Sequence, residues 1–247
     1  MKYLLDLLFP PSIYCISCKS IIDSSRMYSL CDKCINSFRW TTGKTCQKCG
    51  KILQDNYMHD ICVDCRESAH CFEKGYSCVQ YGLKERELLL SFKYGGKAFI
   101  GEKIACAMAD KLATEDCEVD LIAPVPMYRS KERKRGYNQA DIIAKHLAKK
   151  MSLPYFGKLL LRVENTTAMS GMSAFERRMN MENAFSMVDS SVKHAIGKRV
   201  LLVDDIYTTG STVSACSQVL MSRGVREVRV ITFASGANLL KFDMESD

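Results

Sequence analysis

Four C-x-x-C pairs follow one another in the first 65 residues: Cys15 and Cys18, Cys31 and Cys34, Cys46 and Cys49, Cys62 and Cys65, with gaps of 12, 11 and 12 residues between pairs. Two cysteines three positions apart on a tight turn aim both sulfurs at one ion. Two such turns complete the tetrahedral thiolate shell that zinc prefers. Eight ligands at near-equal spacing therefore predict two structural zinc ions. Sequential grouping puts Cys15, Cys18, Cys31 and Cys34 on one ion and Cys46, Cys49, Cys62 and Cys65 on the other, as two tandem ribbons. An interleaved cross-brace satisfies the same spacing. A disulfide ladder is the competing use of these thiols. The N-terminal run MKYLLDLLFPP is interrupted by Asp6 and followed by no small-residue cleavage site, so it does not read as a signal peptide. A cytoplasmic location is expected, and with it reduced thiols.

The pairs leave five further cysteines, Cys71, Cys78, Cys106, Cys117 and Cys216, without metal spacing; they read as small buried hydrophobes. His59 and His70 are expected at the surface. The cysteine-rich segment has few large apolar residues, so metal coordination should supply most of its folding free energy, on the order of 10 kcal/mol per site in small zinc modules. Residues 1–75 carry ten basic and eight acidic side chains, a net of +2 that is too weak to establish nucleic-acid binding. Arg39 and Trp40, between the ribbons, suit either base stacking or a packed hinge.

Over the whole chain, 247 residues with 35 Lys and Arg against 28 Asp and Glu give a net charge of +7, and 47% of residues are hydrophobic. Disorder and fibrous architecture are excluded. The longest uncharged run, Ile206 to Ser222, contains seven Ser or Thr residues and does not read as a membrane span, so no membrane partner is expected.

From about residue 72 the pattern changes. CFEKGYSCVQYG, VDLIAPVP, LPYFGKLLLRV, KRVLLVDD and REVRVITFAS read as strands; LKERELLLSFKYG, AFIGEKIACAMADKLA, NQADIIAKHLAKKM and STVSACSQVLMSRG have apolar positions at helical spacing. This alternation predicts an α/β domain with a parallel sheet covered on both faces, over residues 71–247, behind a small double-ribbon domain over residues 1–70. Ligands should gather at the carboxyl ends of its strands.

One loop there, RVLLVDDIYTTGSTV at 199–213, carries chemistry. An apolar strand from Val200 to Val203 is expected to end in Asp204 and Asp205 and to enter a turn that opens a helix near Ser211. Gly210 lets the backbone approach an anion. The amides and hydroxyls of Thr208, Thr209, Ser211 and Thr212 can donate to phosphate oxygens, and the helix N-terminus adds its dipole. The two carboxylates upstream suit ribose hydroxyls. A P-loop is excluded because no Lys follows the glycine, and a dinucleotide fingerprint because only one glycine is present.

VLLVDDIYTTGST resembles the phosphoribosyl pyrophosphate motif of type I phosphoribosyltransferases. FKYGGK at 92–97, APVPMYRSKERKRGYNQADIIAKHLAKKM at 123–151 and GMSAFERRMNMENAF at 171–185 extend the likeness. With the leading ribbons, nearly the whole chain resembles the ComF family of competence-associated, phosphoribosyltransferase-like proteins. The resemblance implies a phosphoribosyltransferase fold, a site for phosphoribosyl pyrophosphate with magnesium, and a link to DNA uptake. It assigns Asp204 and Asp205 to the ribose hydroxyls as catalytic residues, and Thr208, Thr209, Gly210, Ser211 and Thr212 to the 5′-phosphate. It likens Ala123 to Met127, including Pro126, to the loop that meets pyrophosphate. Met169 stands where such proteins usually have Gln.

The adjoining stretch RSKERKR, 129–135, has five cations and one anion. Arg129, Arg133 and Arg135 are therefore candidates for pyrophosphate, for a nucleic-acid backbone, or for plain solvation. Asn138 is a candidate helix cap. Glu176, Arg177 and Arg178 read as an amphipathic helix. Three functions follow: a phosphoribosyltransferase with an unread acceptor, a non-catalytic single-stranded-DNA-binding protein that senses a phosphoribosyl ligand, and an adaptor to a helicase-like competence protein.

Overall fold

The computed structural model describes residues 13–163 and 184–238; Met169, Glu176, Arg177 and Arg178 lie outside them. Each ribbon begins with the same knuckle. In the first, Cys15 N donates to Ser20 O at 2.8 Å beside a Tyr14–Ile21 bridge; in the second, Cys46 N donates to Lys51 O at 2.7 Å beside a Thr45–Ile52 bridge. The second cysteine pair of each ribbon opens a short helix, α1 (Asp32–Ser37) after Cys31 and α2 (Val63–Glu67) after Cys62. Every cysteine of the first ribbon recurs 31 positions later, 15 at 46 and 34 at 65. The ribbons are thus structural copies.

The rest of the chain runs β1 (Lys74–Gln80), α3 (Leu83–Tyr94), α4 (Ile100–Ala113), β2 (Leu121–Pro124), α5 (Arg129–Arg135), α6 (Gln139–Met151), β3 (Leu160–Arg162), β4 (Phe185–Met187), α7 (Asp189–Ala195), β5 (Arg199–Tyr207), α8 (Ser211–Ser222) and β6 (Glu227–Ser235). Four strands form a parallel sheet in the order β1-β6-β5-β2. Val200, Leu201, Leu202 and Val203 are all fully buried, as expected of a central parallel strand covered on both faces. Leu201 and Val203 pack with α3, α4 and α6 through Leu88, Phe92, Ile104, Met108, Ile143 and Leu147. Val200 and Leu202 pack with α8 through Val213, Cys216 and Leu220. Each face takes one ribbon: Ile16, Leu30 and Phe38 of the first join the former cluster, and Leu53 and Tyr57 of the second join the latter.

Several elements differ from the sequence reading. The 153–163 segment contributes only β3, which pairs antiparallel with β4 outside the main sheet. A turn closed by Leu159 N to Phe156 O at 3.2 Å breaks it, leaving Tyr155 as a single parallel bridge to Ile122. Ala123 and Pro124 belong to β2 rather than to the loop after it. The basic stretch 129–135 is a helix, built of good helix formers and ended by Gly136 at φ 90°. Trp40 is half-buried, donates from Nε1 to Ile35 O at 2.8 Å and packs on Tyr28 and Phe38, so the indole serves as a packed hinge. Of the five other cysteines only Cys78 and Cys216 are buried, while Cys71 is exposed at the ribbon exit. His59 is exposed as expected, but His70 is half-buried, stacked on Phe72 at 5.0 Å.

Candidate functional site

The eight cysteine sulfurs gather in two groups, Cys15 with Cys18, Cys31 and Cys34, and Cys46 with Cys49, Cys62 and Cys65; within each, all lie within 4.8 Å of one another. The grouping is sequential. Sulfurs about 2.3 Å from a central zinc stand about 3.8 Å apart. The Cys18–Cys31 and Cys49–Cys62 separations are both 3.6 Å, close to that edge and far beyond a disulfide. All thirteen cysteines are free. In the first group the Ser20 hydroxyl, 3.0 Å from Cys18 Sγ, lowers that thiol to about 6, which favours the thiolate a metal requires. Both groups fit zinc.

The second constellation lies at the carboxyl end of the sheet. β5 does not stop at Val203. It continues through both aspartates to Tyr207, because Asp204, Ile206 and Tyr207 keep register with Thr232, Ala234 and Ser235 of β6. The acid pair is therefore fixed in a strand rather than carried on a loop. Asp204 keeps partial access to solvent yet is closely surrounded by protein atoms. That desolvation, reinforced by the Asp205 charge, pushes its carboxyl up to about 8. Asp205 is buried, and its Oδ2 accepts no hydrogen bond of good geometry. Lys93 Nζ, from the last turn of α3, stands 2.5 Å from it as an ion pair. Arg162 of β3 lies near enough to Asp204 for its charge to be felt there. Two carboxylates with an oxygen held only by charge suit a hard divalent cation or sugar hydroxyls, so the residues fit magnesium.

Five residues beyond Asp205, Gly210 adopts φ 80° and heads α8 with no capping side chain. The first-turn amides of Ser211, Thr212 and Val213 are thus left for an anion. Thr208 and Thr209 are exposed, and the hydroxyls of Thr209 and Ser211 meet at 2.8 Å. Across the β2 end, Val125 N donates to Val203 O at 2.9 Å, which brings Pro126 and Met127 beside the strand that carries the acid pair. Asn138 fastens the same loop: its Oδ1 caps α6 at Ala140 N, 3.1 Å, and its Nδ2 donates to Val125 O at 3.0 Å.

The basic candidates divide. Arg135 is half-buried, donating to Gln139 Oε1 at 2.5 Å and to Tyr94 OH at 3.3 Å, with Met127 Sδ at 4.0 Å. It bridges the Met127 loop and Tyr94 at the end of α3. Arg129 and Arg133 are exposed on α5 with Lys131 and Lys134. Sequence reasoning missed Lys93, although the quoted FKYGGK contains it, and also Arg162, Tyr207 and His70. A Lys just before paired glycines at a helix end was the available signal for Lys93; the others left none.

A model of the Double zinc ribbon domain matches residues 4–66, and a model of the Phosphoribosyl transferase domain matches residues 133–246. The chain is similar to Competence protein F of Haemophilus influenzae, 32% identical over 223 residues that cover 87% of this chain and 94% of that protein. It is also similar to DNA utilization protein YhgH of Escherichia coli K12, 26% identical over 82% and 88% of the two chains, and to Competence protein ComFC of Bacillus subtilis, 25% identical over 79% of each. No helix among the described residues is long and apolar enough to cross a membrane. With both domain types in order and a relative of that identity aligned almost end to end, the chain belongs to the ComF family, a double zinc ribbon joined to a parallel-sheet domain of the phosphoribosyltransferase type.

Proposed function

We propose that this chain binds phosphoribosyl pyrophosphate with magnesium at the carboxyl end of its sheet and acts as a phosphoribosyltransferase in the handling of DNA during uptake. The observation that carries the reading is the acid pair fixed in β5, with Lys93 paired to Asp205 Oδ2, five residues ahead of Gly210 at the uncapped start of α8. The names of the H. influenzae, E. coli and B. subtilis relatives, competence and DNA utilization, support the DNA link. Eight cysteines gathered in two sets of four, as zinc ligands, support a cytoplasmic location.

In this reading the amides of residues 211–213 and the hydroxyls of Thr208, Thr209, Ser211 and Thr212 hold the 5′-phosphate, while Asp204 and Asp205 accept hydrogen bonds from the ribose hydroxyls. The bond from the anomeric carbon to pyrophosphate breaks as one to the acceptor forms, and positive charge develops on the ribose. The aspartates stabilise that charge, while Lys93 and Arg135 face the departing anion; positioning and electrostatics carry the catalysis. Magnesium, when bound, would supply charge neutralisation for the pyrophosphate oxygens.

A thermal-shift titration tests this directly. At 100 times the dissociation constant the native state should gain about 2.7 kcal/mol, and Asp204→Asn with Asp205→Asn should remove the gain while the chain stays folded. No shift at millimolar ligand with magnesium would sink the reading. Pyrophosphate release across a panel of bases and amines then separates enzyme from sensor.

A second reading, single-stranded DNA binding, is favoured by the four exposed cations of α5. If Arg129, Lys131, Arg133 and Lys134 neutralise about four phosphates, log affinity should fall with log salt at a slope near −2.8. Replacing all four with Ala should flatten it.

A further inference from the structure

Ribbon two and the phosphate loop are not neighbours by accident of packing alone. Lys51, in the knuckle between Cys49 and Leu53, is almost fully buried. Its Nζ pairs with Asp64 Oδ2 at 2.5 Å, inside the Cys62–Cys65 turn, and lies 5.6 Å over the ring of Tyr207. Tyr207, the last residue of β5, is buried with its hydroxyl 3.3 Å from His70 Nε2. The Gly210 backbone rests on this pair: a Cβ there would lie 2.2 Å from the Tyr207 oxygen and 2.9 Å from His70 Cε1. Two further bonds tie this ribbon and its exit to the sheet domain: Cys71 N donates to Ser214 Oγ of α8 at 3.1 Å, and Val63 N, inside the Cys62–Cys65 turn, to Asn238 Oδ1 after β6 at 3.2 Å.

We propose that Tyr207 is a positioning residue through which the metal-loaded second cluster holds the 208–212 loop in its anion-binding form, so that metal at that cluster and phosphoribosyl ligand at the loop strengthen each other's binding. The physical basis is contact on both sides of one ring. The folded knuckle fixes Lys51 and the Cys62–Cys65 turn; these fix Tyr207 and the approach to His70; the phenol and imidazole form the floor under Gly210. When the metal leaves, the two cysteine turns lose the ion that joins them, and the floor loses its support. Among the described residues the first cluster offers no such route. Among the described residues its ribbon's side-chain hydrogen bond to the sheet domain is Tyr28 OH to Asp110 Oδ2, 3.0 Å, on α4. The ligand half of the inference rests on the phosphoribosyl reading above; the loop half does not.

Hydrogen–deuterium exchange on the full chain reads the loop without any ligand. In the zinc-loaded protein, peptides covering 207–214 should exchange slowly. Removal of the second zinc by Cys62→Ser should speed that exchange about tenfold, within the ordinary range of site-to-site coupling; Cys31→Ser should leave it unchanged. Tyr207→Phe keeps the ring against Phe72 and Lys51 and removes only the hydroxyl. It should retain two zinc equivalents and a near-native melting temperature, yet show the faster loop and a correspondingly weaker affinity for phosphoribosyl pyrophosphate with magnesium.

Linkage requires the reciprocal effect. Zinc release to a chromogenic chelator should become slower on adding phosphoribosyl pyrophosphate with magnesium for one of the two equivalents, and Tyr207→Phe should abolish that slowing. Loop exchange that is indifferent both to the second zinc and to Tyr207→Phe would overturn the proposal. A wild-type chain that binds no phosphoribosyl pyrophosphate would overturn the phosphoribosyl reading instead, while a loop that loosens with loss of the second zinc would still support the strut.

Discussion

The two ribbons share one knuckle and one cysteine spacing, yet they are built into the molecule on different terms. At the turn residue four positions after the first cysteine, ribbon one has Lys19 at φ 65° and ribbon two has Gly50 at φ 75°. Lys19 is exposed, so nothing near it demands glycine and the chain tolerates the strain. Gly50 lies against β1. A Cβ there would stand 2.7 Å from Gly75 O and 2.9 Å from Tyr76 Cα, and Gly75 N donates to Lys48 O at 2.7 Å. The second ribbon is thus seated backbone to backbone on the sheet. Its sulfurs are buried or half-buried, whereas Cys18 of the first is exposed. One sequence motif serves as an outer clamp over the α3–α4 face in one copy and as part of the site's foundation in the other.

The widest gap between the copies should appear on loss of metal. Elemental analysis should find two zinc ions per chain. Cys46→Ser and Cys15→Ser should each remove one equivalent, at a cost on the order of 10 kcal/mol of local folding free energy. Only Cys46→Ser should also weaken ligand-induced stabilisation, through an affinity about tenfold lower. Equal effects of the two on ligand binding would erase the distinction.

Gly50→Ala comes next. The left-handed backbone costs a side chain roughly 1–2 kcal/mol, and forcing a methyl against β1 adds about 1–3 kcal/mol of overpacking. A loss of about 2–5 kcal/mol in denaturant unfolding is expected from the two together. A cost under about 1 kcal/mol would mean that ribbon two is not seated on β1 as described.

These contrasts show what the sequence could and could not disclose. Cysteine spacing revealed the clusters because a tetrahedral shell demands neighbouring pairs, and the helical periods of α3, α4, α6 and α8 were plain because each buries one stripe. The 204–212 segment stood out as a candidate site because strand, acids, glycine and hydroxyls are contiguous. What escaped was set by packing between distant segments. Tyr207 and His70 are 137 positions apart, and Lys93 reaches Asp205 from another helix. The true end of β5 depended on its partner β6, which propensity alone does not reveal. Trp40 kept two readings until its neighbours were known.

A pH measurement sharpens the comparison further. The Asp204 carboxyl is raised to about 8 in the fold, from about 3.9 in an unfolded chain. The folded state therefore binds the extra proton, and the stability it contributes is complete below about pH 4 and is lost as pH rises through 8. Melting of the ligand-free protein should fall over that window, and Asp204→Asn should remove this part of the fall. Because magnesium needs the carboxylate, its affinity should rise over the same range. If ribbon two supports the site, its zinc-free variant should lose part of the pH effect, and the ribbon-one variant should keep all of it.

The smallest expected effect is the mirror of Gly50→Ala. Lys19 holds a left-handed conformation with no neighbour to justify it, and its backbone N donates to Cys15 O at 2.9 Å, the bond that Gly50 N makes to Cys46 O at 2.9 Å. Glycine adopts that conformation without the Cβ penalty. Lys19→Gly should therefore stabilise ribbon one by about 0.5–1 kcal/mol, the steric relief being offset by the greater freedom of glycine in the unfolded chain. The gain is best read as slower release of the first zinc to a chelator, with the second zinc and the loop at 207–214 unaffected. Destabilisation instead would show that the Lys19 side chain does something for the first knuckle that its exposed position does not reveal, and the two ribbons would then differ by more than the surface each one meets.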